Sequence, residues 1–151
     1  VGQNYGAGKI KRAKKGVTEC LIMTLFSALL LASLYLSFGR YGFMLFASDE
    51  AVVEIGMRIL NTIAPVFLIY VPIEIYSGAL RGAGKTVVPT LFTVFGICGT
   101  RIIWLSTSIG SASIERVMLS YAISWTLVTL LFVIYYYSTD VFGERTQKSS
   151  L

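Results

Sequence analysis

Histidine is absent and cysteine is limited to Cys20 and Cys98. Neither a Cys/His metal cluster nor a disulfide framework can be assembled from that set. Both thiols fall within apolar stretches, where a free cysteine is expected to pack, buried, as a small apolar group. Charge is scarce as well: 14% of the 151 residues are Asp, Glu, Lys or Arg, against about 25% in soluble domains. Apolar residues make up 55% of the chain and its mean hydropathy is +0.71. So few charges cannot cover the surface of a soluble core this apolar, and lipid is the solvent for most of the chain. An initiator Met and a cleavable signal peptide are also missing. The basic start followed by an apolar run imitates a signal, but a run of about 22 residues is long enough to span a bilayer. Opening at Val1 suggests a truncated chain.

The net charge of +5 does not point to nucleic acid. Lys9, Lys11, Arg12, Lys14 and Lys15 cluster just before the first apolar run, as in a cytoplasmic membrane flank. RNA recognition needs stacking aromatics among the basic side chains, and here the aromatics lie inside apolar runs. Gly84-Lys85-Thr86 imitates the end of a phosphate-binding loop, but the required earlier Gly is replaced by Ala79, with Gly78 out of register. No nucleotide site is expected there.

A hydrocarbon core of about 30 Å takes roughly 20 helical residues. Four stretches qualify, at about 17–38, 57–79, 88–108 and 116–137. They are continuously apolar, and an open sheet edge cannot sit in lipid. The expected fold is therefore an all-α, polytopic bundle of four transmembrane helices, with loops at 1–16 and 80–87 and a polar, frayed tail at 138–151. Lys and Arg fix its orientation. With the N-terminus inside, the cytoplasmic side carries the five residues of the first cluster, then Arg81, Lys85, Arg145 and Lys148. Arg40, Arg58 and Arg116 lie outside and Arg101 lies within a span. The bias places both termini in the cytoplasm of a cell (inner) membrane protein. Tyr135, Tyr136 and Tyr137 at the inner interface, and Tyr41 and Phe43 at the outer, agree with that orientation.

Three features within the spans could carry chemistry. Glu74 lies in the cytoplasmic third of the second span, where a charge is costly unless it faces protein, water or a cation. Tyr70, Ser77 and Gly78 sit at i−4, i+3 and i+4 and make a small, polar stripe with it. Such a carboxyl group can exchange a proton or cation, or serve as a structural hydrogen-bond acceptor between helices. Arg101 lies about 10 Å from the depth of Glu74, and is expected to anchor carbonyls or an anionic partner rather than to pair with it. Pro65 and Pro72 fall on one face of the second span and free the carbonyls of Asn61 and Leu68, giving a bend that is either a packing kink or a hinge. Ala28 and Ala32, Gly96 and Thr100, and Ser120 and Ser124 would let helices approach closely. No clustered nucleophile, base or metal ligand favours a membrane enzyme.

The loops carry a more specific signal. Val1-Gly2-Gln3-Asn4-Tyr5-Gly6-Ala7-Gly8, continuing to Arg12-Ala13, resembles the GQNxGAGxxxRA signature of the multidrug and toxin extrusion (MATE) transporters. Ser77-Gly78-Ala79-Leu80-Arg81-Gly82-Ala83-Gly84, followed by Thr86 and Pro89, resembles the same family's SGALRGAGxTxxP motif. The segments Gly99–Trp104, Ser124-Trp125 and Tyr135-Tyr136 resemble its C-terminal lobe. The resemblance implies part of one six-helix lobe of a twelve-helix transporter, helices nine to twelve, whose partners include the missing N-terminal helices and the surrounding lipid. It further implies antiport driven by Na⁺ or H⁺, with no other cofactor, exporting amphiphilic and mostly cationic small molecules by alternating access. Glu74 aligns with an acidic position found in many bacterial members, and others carry theirs one turn earlier, where this chain has Tyr70. Two rival readings are a lipid-linked oligosaccharide flippase of the same superfamily and a non-transporting four-helix membrane scaffold.

Overall fold

The computed structural model describes residues 1–107 and 113–143. Ser108, the expected end of the third span, and the tail residues Arg145 and Lys148 lie outside the described residues. Among those described, helices follow one another without a strand: α1 (Gly2–Gly6), α2 (Ile10–Met44), α3 (Glu50–Gly82), α4 (Val87–Ser106) and α5 (Ile114–Ser138). The last four are each long and apolar enough to cross a membrane, as expected.

The helices outrun the apolar stretches. At 35 and 33 residues, α2 and α3 reach about 50 Å and project beyond the roughly 30 Å of hydrocarbon. The segment 1–16, expected as a loop, is mostly helical, and the 80–87 loop shrinks to a turn after Gly82. Lys11, Arg12, Ala13 and Lys14 are good helix formers, so nothing stops α2 on the basic side of the interface. Its start and stop signals are local elsewhere too. The Asp49 carboxylate accepts from the Ala51 backbone N–H at 2.9 Å and caps α3, with Glu50 in the first turn. Ser113 caps α5 by accepting from the Arg116 N–H.

The two GAG segments close helices in the same way. Gly8 (φ 71°) and Gly84 (φ 82°) are left-handed. Around the first, Gly8 N–H donates to the Tyr5 carbonyl at 3.0 Å and Lys9 N–H to Asn4 at 2.8 Å. Around the second, Gly84 N–H donates to Arg81 at 3.0 Å and Lys85 N–H to Leu80 at 2.9 Å. Each is the paired-bond C-cap in which glycine satisfies the last carbonyls of a helix. The second cap is what the Gly84-Lys85-Thr86 stretch builds in place of a phosphate loop. A Cβ at Gly84 would meet no atom within 4 Å, so its cost is conformational alone. Gly84→Ala is expected to destabilise the fold by about 1–2 kcal/mol and Gly84→Asn by less. Equilibrium unfolding in bicelles checks the order of the two.

In the packing, α3 lies between α2 and α5, and α4 packs on α5. α1 sits against the ends of α2 and α3. There the two motifs touch backbone to backbone: a Cβ on Gly82 would stand 3.2 Å from the Gly2 nitrogen, and one on Gly2 would stand 3.3 Å from the Gly82 oxygen. Tyr5, Ala13, Val17 and Leu80 are buried around this contact. The turn after α5 folds onto it instead of fraying. Val141 and Phe142 are buried, the Phe142 ring lies 5.6 Å from that of Tyr5, and Lys14 pairs with Asp140 at 3.3 Å. An aromatic side chain next to an apolar pocket stays docked, whatever the polarity of its neighbours. The two ends of the described chain therefore share one side of the bundle.

Candidate functional site

Glu74 lies eight residues before the end of α3, about 12 Å along the axis. Its side chain is exposed and accepts a hydrogen bond from the Tyr70 hydroxyl. Residues four apart are neighbours on a helix face, and Gly78 continues the same exposed strip. Ser77 does not join it. At i+3 it turns the other way round the helix and is buried, so the expected small, polar stripe divides into an exposed carboxylate face and a packed hydroxyl.

Tyr70 links Glu74 to the neighbouring helix. Its ring lies 5.0 Å from Trp125 of α5 and 5.5 Å from Phe67, one turn back on α3. Phe67 also meets Trp125 edge-on at 6.1 Å. On α5, Trp125 and Tyr121 are one turn apart with rings 5.5 Å apart. Arg101, from α4, closes the group. Its guanidinium carbon stands 3.8 Å above the Tyr121 ring and 5.9 Å from that of Trp125, and its Nε donates to the Ser124 hydroxyl at 3.2 Å.

Arg101 thus departs from expectation. An aromatic face and a hydroxyl hold it in place of carbonyls or an anion. A desolvated cation over an aromatic ring gains about 2 kcal/mol, which helps to offset the cost of a charge at that depth. The separation in depth between Arg101 and Glu74 is filled by Tyr70 and Trp125, so the two opposite charges are joined through rings rather than by an ion pair. What this arrangement can do chemically is hold a cation or proton at a carboxylate that also has a neighbouring hydroxyl oxygen, with the aromatic cluster around Tyr70 next to it.

Of the proline pair, Pro65 precedes the strip and Pro72 lies at its depth. Pro65 and Pro72 both lie inside α3, which runs unbroken through them. The Ile69 carbonyl, one position beyond the expected Leu68, accepts from the Thr129 hydroxyl of α5 at 2.5 Å. Neighbouring helices and hydroxyl side chains commonly satisfy backbone near an intramembrane proline.

α4 carries a further irregularity that composition does not announce. Phe92–Gly99 is wound as a π-helix, a form that gathers at functional sites. Gly96 at its centre is buried against α5. Ala28, Ser120 and Ser124 are buried too, as close-packing positions should be. Cys20 and Cys98 are the exception among the small residues. Both are free and exposed, because each points away from the helices packed against its own.

Trp125, Tyr121 and Phe67 escaped the sequence reading as site residues. Their spacing was visible, with Phe67, Tyr70 and Glu74 at i, i+3 and i+7 and Tyr121, Trp125 and Thr129 at steps of four. An aromatic stripe at helical spacing reads as ordinary packing until the helix opposite it is known.

The family described as MatE matches residues 1–105 of the chain. No curated protein and no solved structure matches it. The matched residues hold both glycine-capped motifs, the Tyr70–Glu74 pair and Arg101, and they cover well over half of the sequence. The chain belongs to the MatE family and is a multi-pass membrane protein of those transporters.

Proposed function

We infer that the protein is a cation-coupled antiporter, driven by Na⁺ or H⁺, which exports amphiphilic and mostly cationic drugs or toxins by alternating access. The observation that carries this reading is Glu74: an exposed carboxylate on a membrane helix, held by the hydroxyl of Tyr70, whose ring packs on Phe67 and Trp125. A charge at that depth is retained where it handles an ion or substrate. The carboxylate and hydroxyl oxygens suit a proton or a hard cation, and the aromatic faces suit an organic cation. The coupling ion and the substrate would then compete for one carboxylate, and competition at a shared site is the simplest form of antiport. Lipid and the remaining helices of the transporter would complete the cavity. Both ends of the segment would face the cytoplasm across an inner membrane, consistent with α1 and the turn after α5 sharing one side. A flippase for anionic lipid-linked sugars fits less well, because Arg101, the basic group within the spans, already lies on Tyr121 and Ser124.

Glu74→Gln is expected to reduce gradient-driven efflux of a cationic dye several-fold in membrane vesicles, at unchanged expression, because the amide keeps the shape and loses the charge. Efflux equal to the parent would return Glu74 to a structural role.

A further inference from the structure

Beyond the carboxylate itself, Tyr70 is held from α5 at two points one turn apart. The Trp125 ring packs on the Tyr70 ring at 5.0 Å. Four residues on, the Thr129 hydroxyl donates to the Ile69 carbonyl at 2.5 Å, and that carbonyl belongs to the peptide that also carries the Tyr70 nitrogen. This peptide lies in the helical turn that precedes Pro72. Pro72 has no N–H to offer and its ring crowds the Leu68 carbonyl, so the Ile69 carbonyl stands next to the one gap that Pro72 leaves in the ladder. A hydroxyl fixed on one of them sets the orientation of the peptide plane. The direction of the Tyr70 side chain follows from that plane, and with it the position of the phenol oxygen on Glu74. Thr129 also lies outside the residues the family match covers.

We propose that Thr129 is a positioning residue for ion coupling: its hydroxyl, clipped to the Ile69 carbonyl in the turn before Pro72, sets the Tyr70–Glu74 hydrogen bond and thereby the affinity of Glu74 for its coupling ion. Thr129 itself touches neither ion nor substrate. The inference rests on the coupling role given to Glu74 above. Two consequences separate it from simple packing. Threonine and valine have nearly the same shape, so Thr129→Val removes the hydrogen bond while keeping the volume. Thr129→Ser removes a methyl group and keeps the donor.

The test uses the transporter in proteoliposomes with Thr129→Val, Thr129→Ser and Glu74→Gln in parallel, following dye efflux against Na⁺ concentration and against pH. A second readout needs no transport. Trp125 emission is titrated with the same ions in a background where Trp104, and any tryptophan outside this segment, is replaced by Phe. The expected result is a shift of at least threefold in the half-saturating ion concentration for Thr129→Val, in both readouts, with the maximal rate changed less than the half-point and with Thr129→Ser close to the parent. A Thr129→Val half-point that superimposes on the parent, or a Thr129→Ser variant that behaves like Thr129→Val, overturns the proposal. If Thr129→Val does not fold, Thr129→Ser and Thr129→Ala are compared in the same titrations, and equal half-points for the two overturn it equally. Ion coupling that survives Glu74→Gln removes the parent reading and this inference with it, whereas coupling abolished by Glu74→Gln beside an unshifted Thr129→Val removes this inference alone.

Discussion

Phe142→Ala is expected to destabilise the bundle by about 3–5 kcal/mol, the range for a fully buried phenylalanine truncated in a water-facing core. Phe142 has 0% of its surface exposed and stands in the turn after α5, on the side where α1 and the basic start of α2 gather. Its ring meets Tyr5 at 5.6 Å and Tyr136 at 6.3 Å. Unfolding this end exposes the ring to water, so the loss contains both the transfer term and the cavity term. Phe132 makes the comparison. It too is 0% exposed, and it meets Phe92 edge-on at 5.3 Å, but it lies within the α5 span. Lipid tails are as apolar as the interior it would leave, so only packing is lost there. Phe132→Ala should therefore cost clearly less than Phe142→Ala when the two are unfolded reversibly in bicelles. A larger loss at Phe132 would show that the turn after α5 contributes little. The ion pair of Lys14 with Asp140 beside it, more than half exposed on both sides, adds at most about 1 kcal/mol.

The second large effect lies where the π-helix crosses α5. A Cβ placed on Gly96 would stand 2.4 Å from the Cγ2 of Val128, which is itself 0% exposed and cannot swing into open space. Gly96→Ala is expected to destabilise by roughly 1–3 kcal/mol through overpacking. Because the obstacle is one methyl group, Val128→Ala should recover most of the loss in the double variant, although alone it opens a cavity and destabilises. Such a pair is strongly non-additive, with an interaction energy of about 1 kcal/mol or more of restoring sign. Additive losses in the same bicelle assay would mean that Gly96 serves the π-helical winding itself rather than the contact with α5.

The order of these effects follows from where water is. At the membrane-buried seam between α4 and α5, steric fit decides stability, and small residues matter because they let helices approach. At the polar end the apolar side chains regain the hydrophobic term, and the two glycine-capped motifs, Tyr5 and Phe142 form a core of the soluble kind. Both glycine motifs thus act through backbone geometry. Gly8 and Gly84 supply left-handed residues, while Gly2 and Gly82 allow contact between main chains.

Much of this protein was legible before any coordinates. The four spans followed from the length of apolar runs against bilayer thickness. Glu74, Tyr70 and Arg101 stood out because an ionisable or polar group in lipid is costly and needs a reason, and their depth along each helix followed from the rise per residue. Rotation of one helix about its axis relative to the next was not legible, since lipid makes an apolar face read the same whether it meets a neighbour or a hydrocarbon tail. Tertiary packing alone decided that Ser77 turns inward while Glu74 turns out, that Arg101 rests on Tyr121 instead of a carbonyl, that Thr129 reaches the Ile69 carbonyl, and that Phe142 docks where a frayed tail was expected. Each depends on which side chain of a distant helix arrives at the same depth, and spacing within a single helix carries no record of that.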